Sequence, residues 1–255
     1  MRFYCLLLTI CLLCHLPVWS QKQTKLRVVV LAELHEQHRP YVDAAKVWLH
    51  QLATDSSLTI DYIENPDSIT DDFLSRHQLF IQLNFPPYGW SDQAKAAFEK
   101  YITTGSGGWV GVHHATLLGD FNGYTMWPWF SQFMGDIRFT GYIADFAAAD
   151  VKVEDIRHPC MKNVPKTFHI AKDEWYTYSV SPRKNVRVLA SVNENSYNPN
   201  STIKMGDHPV VWTNEHVKAR NIYIFMGHDP ALFTNQAYAT LLRNAIFWAA
   251  SKVQK

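Results

Sequence analysis

The apolar and polar positions of the chain alternate between two rhythms. Residues 26–31 (LRVVVL) form a nearly unbroken apolar run rich in β-branched side chains, the pattern of a strand buried on both faces. Residues 41–52 then carry Val42, Ala45, Val47, Trp48 and Leu52 at mostly helical spacing, and residues 58–63 and 79–85 return to the strand pattern. A short helix is expected near residues 71–75. The clearest helix is predicted over residues 91–103, where Ala94, Ala97, Phe98, Tyr101 and Ile102 recur on one face, with Ser91 as N-cap and Asp92 in the first turn. Gly105, Gly107 and Gly108 end it, and a strand follows over residues 109–112.

Strands alternating with helical segments predict an α/β fold, a parallel sheet covered on both faces. The rhythm breaks after Ala115: residues 117–150 are dense in aromatics and glycine without a clean period. This stretch reads as an excursion over the ligand edge of the sheet, with a short amphipathic helix over residues 127–134. Further strands are expected at residues 167–171, 186–192, 209–212 and 221–225, and a closing helix at 236–250. No linker, repeat or low-complexity tract divides residues 21–255, which read as a single domain.

The N-terminus changes the picture of where this domain works. Arg2 precedes an apolar run over residues 5–16, and Val18 and Ser20 supply the small side chains of a cleavage site after Ser20. Residues 1–20 therefore read as a signal peptide, and the protein as periplasmic or secreted. The run is short of the roughly 20 residues that a permanent membrane helix needs. A lipoprotein would use Cys14, but Leu13 is bulky where lipid-attachment sites take a small residue. With the leader removed, Cys160 is the one cysteine left, so no internal disulfide forms and the core must hold the domain. Arg2 is the one net charge of the full chain, which leaves the mature protein formally neutral. That balance argues against nucleic acid and, after cleavage, against a membrane surface as partner. The sequence carries no signal for oligomeric state.

Four polar clusters fall at the expected strand ends: His35 and His38, His113 and His114, Asp173 and Glu174, and His228 with Asp229. Ligands of parallel sheets bind at this edge, outside the carboxyl ends of the strands. His35 or His38 alone would read as a solvated loop histidine. If the strand continued through His113 and His114, their side chains would face opposite ways. One would then look into a site and the other be buried and hydrogen-bonded; the same alternation separates Asp173 from Glu174. Asp229 before Pro230 suits a turn or helix start. Tyr124, Trp127, Trp129 and Phe130 form an aromatic patch suited to core packing or to stacking on sugar rings. Serine-nucleophile elbows, dinucleotide-binding glycine loops and Walker-type loops are absent. Cys160 stands in an irregular stretch unsuited to a nucleophile.

Taken in order, GSGGWVGVHHAT (105–116), HPCMKNVPKTFHIAKDEWYTY (158–178), HPVVWTNEH (208–216) and IYIFMGHDPALF (222–233) followed by LLRNAIFWAA resemble the ThuA-like, trehalose-utilisation proteins. The resemblance implies a flavodoxin-like, doubly wound, mostly parallel sheet with helices on both faces, similar to class I glutamine amidotransferases. In those enzymes a cysteine sits in a Gly-x-Cys-x-Gly elbow. Here the matching stretch is Gly111-Val112-His113-His114-Ala115, so His113 occupies the nucleophile's position and glutaminase chemistry is not expected. Their late His-Pro-Glu is matched by His228-Asp229-Pro230.

The resemblance and the clusters together imply a carbohydrate-processing enzyme acting on a sugar or keto-sugar, with a small-molecule carbohydrate as partner. Its catalytic residues would be His113, His228 and a carboxylate from Asp173 or Glu174. His35, His38, His114, Tyr176, Trp127 and Asp229 would bind substrate. Two chemistries fit. His113 and His228 could hold a divalent metal such as zinc, or act without metal as general base and acid. The alternative is a non-catalytic carbohydrate-binding or accessory protein that uses the aromatic patch as its platform.

Overall fold

The computed structural model describes residues 25–143 and 146–251, so the expected leader lies outside the described residues. Among the described residues no helix is long and apolar enough to cross a membrane. The first half alternates as the periodicity predicts: β1 (Leu26–Ala32), α1 (Arg39–Asp55), β2 (Leu58–Ile63), α2 (Asp71–Ser75), β3 (Leu79–Leu83), α3 (Asp92–Thr104) and β4 (Gly108–Val112). The expected cap is present, since Ser91 accepts a hydrogen bond from the N–H of Ala94.

The second half contains α4 (Pro128–Phe133), β5 (Phe139–Tyr142), β6 (Ala147–Val153), β7 (Thr167–Asp173), β8 (Tyr176–Tyr178), β9 (Arg187–Asn198), β10 (Pro209–Thr213), β11 (Asn221–Ile224) and α5 (Gln236–Ala250). One nine-stranded sheet runs β2-β1-β3-β4-β11-β10-β9-β6-β7. β2, β1, β3, β4 and β11 are mutually parallel. β10, β9, β6 and β7 extend the sheet with antiparallel pairings.

The crossover from β1 to β2 moves toward one edge of the sheet and that from β3 to β4 toward the other. Right-handed crossovers therefore place α1 and α3 on opposite faces. α5 joins α1, where the buried hydroxyls of Tyr41 and Tyr238 share a hydrogen bond. On the α3 face, Phe98 packs on Phe80 of β3 and on Phe130 of α4, which in turn meets Trp109 of β4. The α/β sheet covered on both faces that the rhythm predicts, and the doubly wound architecture that the resemblance implies, are observed.

The excursion over residues 117–150 is more regular than its sequence suggests. It holds the expected short helix as α4, but its last part forms β5 and β6, which no periodicity marks. β6 reads AAADVKV, and three alanines give little strand signal although alternate residues are buried. β9 likewise runs well past residue 192, through a polar half in which Glu194 and Tyr197 face inward.

Candidate functional site

Three parallel strands and one distant antiparallel strand deliver side chains to a single place at the carboxyl edge. After β1 the chain keeps sheet contact for one residue, Glu33 N–H donating to Leu83 O, then turns into α1 with His38 as its N-cap. His38 makes no capping bond because its ring turns inward instead; it is 2% exposed. β4 ends in a 3-10 turn over His113–Thr116 rather than continuing as a strand. The expected separation of His113 and His114 onto opposite faces therefore does not occur. His113 takes a left-handed backbone, φ 42°, a conformation that costs a non-glycine residue about 1–3 kcal/mol and persists only where surroundings enforce it. They do: Tyr223 Oη donates to the carbonyl of His113, and its ring Nδ1 donates to the carbonyl of Phe225.

The carboxylate arrives from far away in the sheet. β7 is the edge strand, four places from β11, yet its end reaches the loop after β11. There the fully buried Asp173 carboxylate accepts hydrogen bonds from the N–H groups of Glu174, Gly227 and His228 at 2.8, 3.0 and 3.1 Å. Asn84 at the end of β3 holds the same loop by donating to Gly227 O. A side chain on Gly227 has no room: a Cβ there would stand 2.5 Å from Val112 Cγ1 and 2.7 Å from His113 Cβ.

So held, four residues converge. His38, His113, His228 and Glu174 each present a nitrogen or oxygen, all within 4.8 Å of one another. Glu174 Oε2 lies 3.3 Å from His113 Nε2 and 3.4 Å from His228 Nδ1. Neither nitrogen has a hydrogen-bond partner. The Phe225 carbonyl can only accept, so His113 carries its proton on Nδ1 and turns a bare Nε2 lone pair toward the carboxylate. Burial pushes the pKa of His113 down to about 3, against the pull of Glu174, so its imidazole is neutral at physiological pH. Burial raises the pKa of Glu174, but its contacts with His113 and His228 outweigh this and hold it below the usual carboxylate range.

The bare Nε2 of His113 facing an ionised carboxylate across a buried gap is repelled unless a cation stands between them. Donors bound tetrahedrally at 2.0–2.1 Å from Zn²⁺ stand about 3.3 Å apart, the spacing of Glu174 from His113 and from His228. The donor set, three imidazoles plus one carboxylate, is also one that zinc or a similar divalent ion takes.

Glu33 completes the arrangement, and no sequence cluster pointed to it. Its Oε2 lies 2.7 Å from Nδ1 of His38, and its two oxygens lie 3.1 and 3.0 Å from Nδ1 of His114. Burial raises its pKa, but the hydrogen bonds from His114 and the close contact with His38 prevail and bring it to about 2. An ionised Glu33 keeps the protons of both rings on Nδ1, which leaves Nε2 of His38 for the cluster and Nε2 of His114 for the cleft. Carboxylate-to-histidine support of this kind is the usual second layer around a bound metal. Its only sequence signal was a lone acid at the end of the first strand.

The structure redistributes the other expected residues. His35 is exposed, and its backbone carbonyl, not its ring, receives the first N–H groups of α1. Asp173 is the residue of its pair that accepts backbone bonds, and Glu174 the one that faces the histidines. Burial lifts the pKa of Asp173 to about 7 despite its three N–H donors. Asp229 caps the turn after it by accepting from Ala231 N–H. Tyr176 is buried with its ring 4.5 Å from that of His113, a wall behind the site. Trp127 is corrected from platform to core: it is buried against Trp90, Phe98 and Phe130, and its Nε1 donates to Glu99. Cys160 is buried, which raises its pKa and keeps it a thiol.

The clamp at Asp173 gives a direct prediction. Asparagine can accept with one oxygen only, so Asp173→Asn leaves a buried N–H of the 227–228 loop facing another donor. A loss of about 1–3 kcal/mol in urea unfolding is expected, together with weaker function through a displaced His228. A variant as stable as the parent would show that the clamp does not hold this loop.

A cavity of about 750 Å³ lies at the opposite end of the strands, between residues 104–108, residues 213–220 and the end of α5. No comparable convergence of histidines and carboxylates lines it, so the carboxyl-edge cluster is the candidate site.

Comparison with known proteins gives the family and the fold. The family pattern described as ThuA, trehalose utilisation, matches residues 27–249. The chain is similar to a ThuA-like protein from Bacteroides uniformis ATCC 8492, with 30% identity and a TM-score of 0.81, covering 94% of this chain and 97% of that one. A ThuA-like protein from Parabacteroides merdae ATCC 43184 is 20% identical with a TM-score of 0.67, over 91% and 92% of the two chains. A Thermoplasma acidophilum protein described as part of a GMP synthase shares the fold at 12% identity and a TM-score of 0.55, over 89% and 94%. No curated protein matches the chain.

Proposed function

The chain belongs to the ThuA family, described by trehalose utilisation, and from that premise we propose that it processes a sugar or keto-sugar at a divalent-metal centre held by His38, His113, His228 and Glu174. One observation carries this reading: buried, unpartnered histidine nitrogens meet Glu174 at the spacing of ligands around a small cation. The metal would polarise a carbonyl or activate water. The protein's own part is to bind, orient and move protons. Asp173 and Asn84 hold the His228 loop, and the carbonyl of Phe225 fixes the tautomer of His113.

His114 is the group suited to proton transfer. Its Nδ1 is tied to Glu33, and its ring is partly exposed, so Nε2 can exchange a proton with a substrate hydroxyl or with carbon next to a ketone. Glu33 stabilises the imidazolium that forms, as a carboxylate behind a histidine does in acyl-transfer triads. The replacement of the elbow cysteine by His113 supports a protein without glutaminase activity. The proposed setting is the periplasm or the exterior, following the leader read at residues 1–20.

Elemental analysis of protein purified without a histidine tag tests the centre. About one equivalent of a transition metal per chain is expected, with turnover of trehalose or a keto-glucoside lost on chelation and regained on adding metal. Metal-free protein that is fully active, and unchanged by added ions, would eliminate the metal chemistry and leave His113 and His228 as an acid–base pair.

A further inference from the structure

We infer that Tyr88 and Tyr124 form a second carbohydrate subsite beside the histidine cluster, one that takes the distal pyranose ring of a disaccharide whose other ring occupies the cleft. The inference rests on the carbohydrate reading above and extends it to a specificity element. Tyr124 is 52% exposed. Its ring is stacked on that of Tyr88, centroids 6.1 Å apart at 26°, and Tyr88 rests in turn on Phe121.

The exposed ring is held rigidly. Phe121 and Tyr124 exchange both backbone hydrogen bonds of a two-residue hairpin. The residues between them, Asn122 and Gly123, both have positive φ, 52° and 82°, which is the tight turn that Asn-Gly favours. Asp120 braces the base of the hairpin by accepting from Met126 N–H and pairing with Arg138. A large aromatic fixed in this way and left open to water is a surface prepared for a flat, partly apolar partner, and a tyrosine adds a hydroxyl for hydrogen bonding.

Its position names the partner. β3 lies between β1, whose loop carries Glu33 and His38, and β4, whose turn carries His113 and His114. Tyr88 rises from the loop after β3, and the hairpin from the chain after the histidine turn. The stacked pair therefore borders the same cleft. Burial and the nearby charge of Glu33 both push the Tyr88 hydroxyl pKa up, in keeping with that closeness. A ring bound at the cluster would leave the neighbouring ring of a disaccharide over the two tyrosines, whereas a monosaccharide would not reach them.

Calorimetric titration of the metal-loaded protein with trehalose and with glucose separates the possibilities. Trehalose is expected to bind about five- to tenfold more tightly than glucose, the scale of one aromatic stacking contact. Tyr124→Ala should bring trehalose down to the glucose level and leave glucose binding unchanged, and Tyr124→Phe should retain the preference. Because Tyr124 is exposed, its substitution does not threaten the fold. A preference that survives Tyr124→Ala and Tyr88→Ala overturns the subsite while leaving the carbohydrate reading in place. Failure of the parent protein to bind either sugar overturns both.

Discussion

His228→Ala is expected to abolish turnover and to weaken metal binding by more than about 100-fold, beyond the 10–100-fold that the loss of a mere supporting residue costs. The thermal midpoint of the metal-free protein should move by no more than a few degrees. The reason lies in what His228 touches. Its Nδ1 faces Glu174 without a hydrogen bond, and its ring is partly open to the cleft, so removing it exposes no core and breaks no network. The backbone N–H that Asp173 holds remains in place. Loss of three ring contacts, with Phe146 at 4.6 Å, His38 at 4.8 Å and His113 at 5.6 Å, is the main packing cost. His113→Ala is a poorer test, because that ring is wholly buried and its turn is strained. Competition titration with a chromogenic chelator reads the affinity directly, and parental affinity in His228→Ala would remove this residue from the centre.

Glu33→Gln should cost about 10–100-fold in metal affinity although the residue belongs to the layer behind the proposed ligands. Glutamine offers one accepting oxygen where the carboxylate offers two, and it turns an N–H₂ toward one of the two imidazole N–H groups. His38 or His114 must then change tautomer or lose its partner. The same substitution alters acid stability. The folded pKa of Glu33 is about 2, against an ordinary value of 4.5. The native state therefore binds fewer protons than the unfolded state between these values, and stability rises with pH across that window. The contribution is complete above about pH 4.5 and disappears as pH falls through 2; a shift of this size corresponds to roughly 3 kcal/mol at most. Urea unfolding of metal-free protein should show parent and Glu33→Gln well separated at pH 7 and closer at pH 3. A separation that does not change with pH would mean that the two histidines do not hold the Glu33 charge.

Both predictions depend on residues that the sequence showed unequally. Strand and helix periodicity located nearly every element of the parallel half, because β1, β3 and β4 are buried on both faces and read as solid apolar runs. Helices α1, α3 and α5 carry one buried stripe each, so their spacing was equally plain. In the second half β7, β9 and β10 were also expected, but three strands were not: β5 and β8, which pair in a separate two-stranded sheet, have four and three residues, and β6 spends alanine where a strand signal needs bulk.

At the site, His113, His228 and Glu174 were visible as polar residues closing apolar runs. His38 gave the opposite impression, that of a loop histidine between exposed neighbours, because nothing local shows a ring turned inward past an unused helix cap. The aromatic patch misled in another way. Trp127 and Tyr124 lie three residues apart in one polar-aromatic stretch, yet one fills the α3 face and the other stands in water.

The sequence by itself determined the α/β class and the polar clusters that close its apolar runs, since both follow from local periodicity and residue identity. Only the tertiary structure decided which polar side chains meet. Glu174 comes from the far edge of the sheet, Asp173 turns away to hold backbone, and Glu33 joins His38 to His114 across 81 residues. Such contacts depend on how strands are ordered and where loops curl back, and neither is written in the spacing of neighbouring residues.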